Sequence, residues 1–370
     1  MMARKYDINL VHTIREKQYT EIRRDVPIII KPIPDCDIKG AMDPRLYQNS
    51  KKISLIMRFL PKSLLKMDMS PKSISRLRKM FNGVDYTPIV EEPIEEFQFT
   101  IKADDGFNIP MTRFSSQKQL DNSPVLYFIH GGGFFAGSTD VIREALRLFV
   151  SQTNMIAVSI DYRLAPENPF PIGHTDCYTG LRWLVDNVSE WKADPTNIFV
   201  AGDSAGGNLT AYCCNRNIEE ERDDIAGQIL LYPTLNMGGL KDQYTTFDID
   251  QDIAIYPKQK NVIRPGIEAF NGLSSGLSDI LGTKDTLTKY LSPYVSVSEK
   301  NPVTMITSGE HDFLTIESLA YAKKLIDLGI DTTFTLYEGM GHAYIDHIGN
   351  YPQAEDCVTD ISDFVKKNRR

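Results

Sequence analysis

Apolar residues recur along the chain in short, dense runs separated by stretches of more polar sequence. "PVLYFI" (124–129), "MIAVSI" (155–160), "NIFVA" (197–201), "GQILLY" (227–232), "VTMITS" (303–308) and "TTFTLY" (332–337) are short and rich in β-branched or aromatic residues. Runs of that kind predict strands buried on both faces. The spacers are mostly of helix length, which predicts repeated β-α units and a mainly parallel sheet with helices on both sides. Upstream, "IEEFQFTIKA" (94–103) and "NIPMTRF" (108–114) flank "DDG" (104–106) and predict a hairpin that opens the core near residue 94. Two hairpin strands and six apolar runs predict an α/β fold on an eight-stranded sheet.

Two regions break the pattern. Residues 1–93 show no strand alternation and predict an N-terminal helical cap. Within the catalytic domain expected at 94–370, the stretch 238–290 turns polar and glycine-rich around "YPKQKNVIRPGIEAFNGL" (256–273). That stretch predicts an insertion completing a helical lid with the N-terminal segment.

Composition narrows the class. The 370 residues are 42% hydrophobic and 24% charged, ordinary for a globular chain, and the formal net charge of −8 argues against a nucleic-acid surface. The N-terminus lacks an apolar h-region and no later stretch reaches eighteen uninterrupted apolar residues, which predicts a soluble, cytoplasmic protein. Five cysteines (36, 177, 213, 214 and 357) without C-x-x-C spacing indicate neither a zinc site nor a disulfide framework. Charge is uneven, however: residues 51–80 hold nine Lys or Arg against one acid, Asp68. "ISLIMRFLPKSLLKM" (53–67) has the basic, apolar mixture of a membrane-surface segment, but Pro61 interrupts its helical pattern and favours a covering helix instead. The chain is a candidate homodimer.

The chemistry starts at "AGDSAGGNL" (201–209), where glycines stand two positions either side of Ser204. A β-forming run precedes it and helical sequence follows. Strand, tight turn and helix form the context a G-x-S-x-G nucleophile elbow needs, because the turn exposes the hydroxyl and points the next N–H at the same place. A serine in a glycine-rich helix cap is the plainer alternative. Such a serine also needs a base and an acid to orient it. Of six histidines, His342 lies in "GMGHAY" (339–344), after the last predicted strand and between flexible residues. Asp312, in "SGEHDFL" (308–314), follows the preceding strand, one helix and one strand before His342. Glu310 is its rival for the acid. Ser204, Asp312 and His342 fall in the chain order of α/β-hydrolases. Three glycines in "HGGGFFAGS" (130–138) leave N–H groups unshielded, as an oxyanion hole requires. "GGGFFA" (131–136) also fits G-x-G-x-x-A after a strand, with Asp161 ending the next one, but a dinucleotide site explains neither the elbow nor the histidine loop.

Together, "HGGGFFAGS" (130–138), "DYRLAPENPFP" (161–171), "GDSAGGNL" (202–209), "EHDFL" (310–314) and "GMGHAY" (339–344) resemble the hormone-sensitive-lipase-like family of α/β-hydrolase esterases from about residue 94 to 370. The resemblance implies Ser204 as nucleophile, Asp312 as acid, His342 as base, and the amides of Gly132, Gly133 and Ala205 as oxyanion hole. It implies a serine carboxylesterase that needs no cofactor and takes small-molecule esters of short to medium acyl chain. Residues 1–90 and 238–290 follow no family pattern. Phe134, Phe135 and Phe313, next to the machinery, are candidates for an apolar substrate pocket, with plain packing as the alternative. Hydrolysis of an amide, formamide or thioester would use the same parts. A non-catalytic receptor, as the gibberellin receptor is on this fold, would lack the histidine that stands here at 342.

Overall fold

The computed structural model describes residues 4–59, 71–83, 86–274 and 276–370. Ten strands form one sheet: β1 (Tyr19–Arg23), β2 (Val26–Lys31), β3 (Ile94–Lys102), β4 (Asn108–Ser116), β5 (Ser123–Ile129), β6 (Ile156–Ile160), β7 (Ala193–Asp203), β8 (Ile225–Leu231), β9 (Thr304–Gly309) and β10 (Thr332–Tyr337). Their spatial order is β1-β2-β10-β9-β8-β7-β5-β6-β4-β3. Pairing is parallel from β2 through to β6 and antiparallel at both edges.

The six apolar runs became β5 to β10 for the reason their composition gave. In β5, Val125, Tyr127 and Ile129 face one buried cluster, shared with helices Ile172–Asn187 and Ala205–Glu219, and Leu126 and Phe128 face another, shared with helices Thr139–Thr153 and Pro352–Asn368. Both faces are covered, so no position needed to be polar. Chain order reverses around β5, which lies between β6 and β7. At such a switch point the loops leaving two neighbouring strands diverge and open a crevice at the carboxyl edge. Ile129 pairs with Gly202 there, setting the glycine loop beside the elbow.

The sheet exceeds the expected eight strands by two, both from the segment expected to be helical. Arg23 and Val26 close a tight hairpin, and β2 pairs in parallel with β10 through Ile28↔Phe334 to Lys31↔Tyr337. Val26, Ile28 and Ile30 bury against helix Thr315–Asp327, an alternation that Pro27, Ile29 and a terminal lysine obscure. The rest of the N-terminal segment is largely helical, with Asn9–Lys17, Pro44–Phe59 and Pro71–Asn82. Most of the basic stretch 53–67 lies outside the described residues.

Lys31 fastens this addition. Its ammonium, 1% exposed, sits 3.0 Å from Asp356 Oδ2 and 3.1 Å from Asp360 Oδ2 on the C-terminal helix. Arg15 reaches the same two carboxylates at 3.3 and 3.0 Å. Removing one member of a buried ion network strands the others, so Lys31→Ala is expected to cost about 3–5 kcal/mol, read as a lowered midpoint in urea unfolding.

Helix Lys260–Ser274, within 238–290, packs its Ile263 and Ile267 with Ile253 and Met42 in a separate small cluster, with Phe313 packed against it. All five cysteines are free, and no described helix is long and apolar enough to cross a membrane.

Candidate active site

Strand β7 ends at Asp203, and Ser204 follows with φ 54° and ψ −116°, outside the regions open to most L-residues. Its N–H donates to the Leu231 carbonyl at 2.9 Å, and its carbonyl accepts from the Thr234 N–H at 3.2 Å. The flanking glycines are demanded by contact. A methyl group on Gly202 would stand 2.2 Å from the Gly206 carbonyl oxygen, and one on Gly206 would stand 2.0 Å from that of Ile129. Only bare backbone lets helix Ala205–Glu219 start this close to the sheet. The turn lifts the Ser204 hydroxyl over the carboxyl edge, at the start of a helix whose first N–H groups have no intrahelical acceptor.

The loops after β9 and β10 bring the other two groups to the same edge. His342 Nε2 lies 2.8 Å from Ser204 Oγ, and His342 Nδ1 lies 2.6 Å from Asp312 Oδ2. Asp312 is 1% exposed, and its other oxygen accepts from the Leu314 N–H at 3.0 Å. With Asp312 ionised, Nδ1 must carry the proton. Nε2 is then left to accept from the serine. Burial opposes charge on the His342 ring, but Asp312 and, more weakly, Asp203 outweigh it and hold its pKa above the ordinary value. Glu310 turns elsewhere: its Oε2 accepts from the Gly339 N–H at 2.9 Å, and no hydrogen bond joins it to His342.

The glycine loop after β5 folds back on itself. Gly132 has φ 111° and Gly133 has φ 61°, both in the left-handed half of the map. The Gly132 carbonyl accepts from the Phe135 and Ala136 N–H groups at 3.2 and 2.9 Å. The N–H groups of Gly132, Gly133 and Ala205 have no acceptor among the described residues. One side chain that the sequence gave no reason to single out ties the loop to the elbow. Asp203 Oδ1 accepts from the Gly131 N–H at 2.7 Å, and a methyl on Gly131 would meet the same carboxylate at 2.3 Å. Burial raises the Asp203 pKa, against the Gly131 N–H and His342, so its charge depends on both.

Over residues 126–346 the chain matches the family described as the alpha/beta hydrolase fold. It is 30% identical over 306 residues to carboxylesterase NlhH of Mycobacterium tuberculosis, covering 83% of this chain and 92% of that one. The chain belongs to the hormone-sensitive-lipase-like family of α/β-hydrolases. An arylesterase of Saccharolobus solfataricus is 26% identical, over 75% of this chain and 87% of its own length. Among solved structures, an esterase of Pyrobaculum calidifontis superposes with a TM-score of 0.67 at 25% identity, over 88% of this chain and 98% of that one.

In this α/β-hydrolase the aromatic candidates separate. Phe134 and Phe135 are 2% and 0% exposed and belong to the core. Phe134 stacks on His174 at 5.5 Å between centroids, and Phe135 meets Phe81 edge-on at 5.3 Å. A positive φ of 66° at Phe134 directs the chain so that both rings pack beneath the loop, which corrects the expectation that they line a substrate pocket. Phe313 does stand by the machinery, 6.2 Å from the His342 ring. Two further rings were not foreseen. Tyr232, at the end of β8, meets His342 edge-on at 4.9 Å, and Phe270, 38% exposed on helix Lys260–Ser274, lies 5.3 Å from it. The stretch 238–290 carries no recognisable motif, so nothing in the sequence marked Phe270.

Proposed function

We propose that the chain is a serine carboxylesterase acting on short- to medium-chain acyl esters through an acyl-enzyme. The observation that carries this reading is the continuous hydrogen-bonded path from Ser204 through His342 to Asp312, beside three N–H groups without acceptors. A serine hydroxyl attacks an ester only if its proton has somewhere to go. His342 Nε2 takes it, and Asp312 stabilises the resulting imidazolium through Nδ1. The amides of Gly132, Gly133 and Ala205 hold the oxygen that becomes negative, an effect worth roughly 10²–10³ in rate per donor. His342 then returns the proton to the departing alkoxide. Water, deprotonated by the same ring, cleaves the acyl-enzyme in a second pass. Phe270 and Phe313 give the region beside His342 an apolar character suited to a hydrocarbon chain rather than a charged one. Relatives named carboxylesterase and arylesterase support ester hydrolysis.

The test is hydrolysis of 4-nitrophenyl esters from acetate to dodecanoate, beside a matched anilide and thioester. Turnover of the esters with a maximum below the longest chains is expected. Preference for the anilide or thioester, or no turnover of any, would overturn the assignment. The pH profile adds a further expectation. The base form of His342 is required, so kcat/KM falls as pH drops through its pKa. Since Asp312 and Asp203 raise that pKa above 6.5, the acid limb should have its midpoint above 6.5.

A further inference from the structure

A cavity of about 1040 Å³ opens behind the acid loop. Asp312 is in its lining but neither Ser204 nor His342 is, and it is as large as the biggest common small-molecule sites. Its walls come from β1, the loop 32–40, residues 251–254, the loops at 310–312 and 338, and the start of helix Thr315–Asp327. Tyr19, Glu21 and Arg23 face it together because alternate residues of a strand share a side.

Its charge is unbalanced, with four basic and six acidic side chains in the lining. The basic ones are largely committed. Arg23 is paired with Glu21, and Lys17 reaches the Pro34 carbonyl at 3.3 Å and Asp37 at 3.5 Å. Arg24 holds Asp252 and the carbonyls of Tyr244 and Thr246 at 2.7 and 3.0 Å. Lys39 is exposed and acts on Glu310 only at a distance.

Two carboxylates have no Lys or Arg at ion-pair distance among the described residues: Arg23, paired with Glu21, acts on both only from further off, and the His311 ring, 3.9 Å from Glu310, is kept neutral by burial. Glu310 is 8% exposed; one oxygen accepts from the Gly339 N–H at 2.9 Å, and the other, Oε1, has no donor among the described residues. Glu338, from the adjacent strand end, accepts only the Tyr19 hydroxyl at 3.1 Å. Burial raises the pKa of both, and Glu310 raises that of Glu338 further, against the opposing pull of Arg23 on each. An open carboxylate oxygen at a cavity wall is a ready acceptor for a charged donor. The same lining includes apolar side chains, Ile33, Ile38, Ile253, Ile316 and Leu319, of which Ile38 is exposed and the others are largely buried. Open carboxylates and hydrocarbon in one cavity suit an amphipathic cation.

We propose that this cavity binds a small organic cation, an alkylammonium or alkylguanidinium, with Glu310 and Glu338 taking the charge and the apolar side chains of the lining, Ile38 among them, taking the tail. Glu310 also fixes Gly339 in the loop that carries His342, so the ligand and the base share one hydrogen-bonding residue.

Calorimetry with hexylammonium chloride on Ser204→Ala protein tests this without any turnover, so its outcome is separate from that of the ester assay. One saturable site is expected, with hexanol and hexanoate failing to saturate it. Glu310→Gln and Glu338→Gln should each weaken binding about tenfold, the worth of one charge-assisted contact. Glu338 is only partly buried, so its variant is expected to fold whether or not the Glu310 variant does. Absence of saturation, equal binding of hexanol, or unchanged affinity in Glu338→Gln would overturn the proposal.

Discussion

Ser204→Ala is expected to lower kcat for a 4-nitrophenyl ester by about 10⁴–10⁶-fold while leaving the fold intact. The attacking oxygen is lost, and the nearby Asn208 amide is committed to the Thr234 and Leu291 carbonyls. The elbow itself should survive. Its shape is held by the Ser204 N–H bond to Leu231 and by the mutual approach of Gly202, Gly206 and Ile129, none of which uses the hydroxyl. Alanine keeps the same Cβ and tolerates the same φ no worse than serine does. Thermal unfolding should therefore change little, and initial rates should collapse. Adding His342→Ala to that variant should cost almost nothing more, because the two groups act as one unit. A variant retaining a tenth of the wild-type rate would remove Ser204 from the nucleophile role.

The difference between what was legible in the sequence and what was not follows the range of the interactions involved. Strands β5 to β10 could be read because burial on both faces leaves each a short apolar run with its own punctuation. Ser204 could be read because the close approach of Gly202 and Gly206 is local and only glycine permits it. Strand β2 could not, since Lys31 makes sense inside a sheet only once Asp356 and Asp360 are beside it, at the far end of the chain. The same holds for Asp203, whose partner Gly131 lies on a different strand loop, and for Phe270, which meets His342 only through the packing of helix Lys260–Ser274. Phe134 and Phe135 misled for the opposite reason. Their place beside the glycine loop was plain, but a positive φ at Phe134 sends both rings inward, and sequence does not carry that dihedral for a phenylalanine.

The acid is where two residues two positions apart make opposite predictions. Asp312→Asn is expected to lower kcat by about 10⁴-fold. Asparagine presents an N–H where Asp312 Oδ2 now accepts at 2.6 Å, or a weaker neutral oxygen in the flipped rotamer. Either way the tautomer with its proton on Nδ1 loses the charge that selects it, and a ring protonated on Nε2 is unable to take the serine proton. The same substitution removes the largest of the effects raising the His342 pKa, so the acid limb of kcat/KM should move to lower pH. Glu310→Gln is expected to change kcat by less than about tenfold, since the glutamine carbonyl still accepts from the Gly339 N–H. Steady-state rates of the two variants, with their pH profiles, separate a carboxylate that selects the tautomer from one that holds a loop. If Glu310→Gln showed the larger loss and the shifted limb, the acid would have to be reassigned despite the 2.6 Å contact, and His342 would turn toward Glu310 when substrate binds.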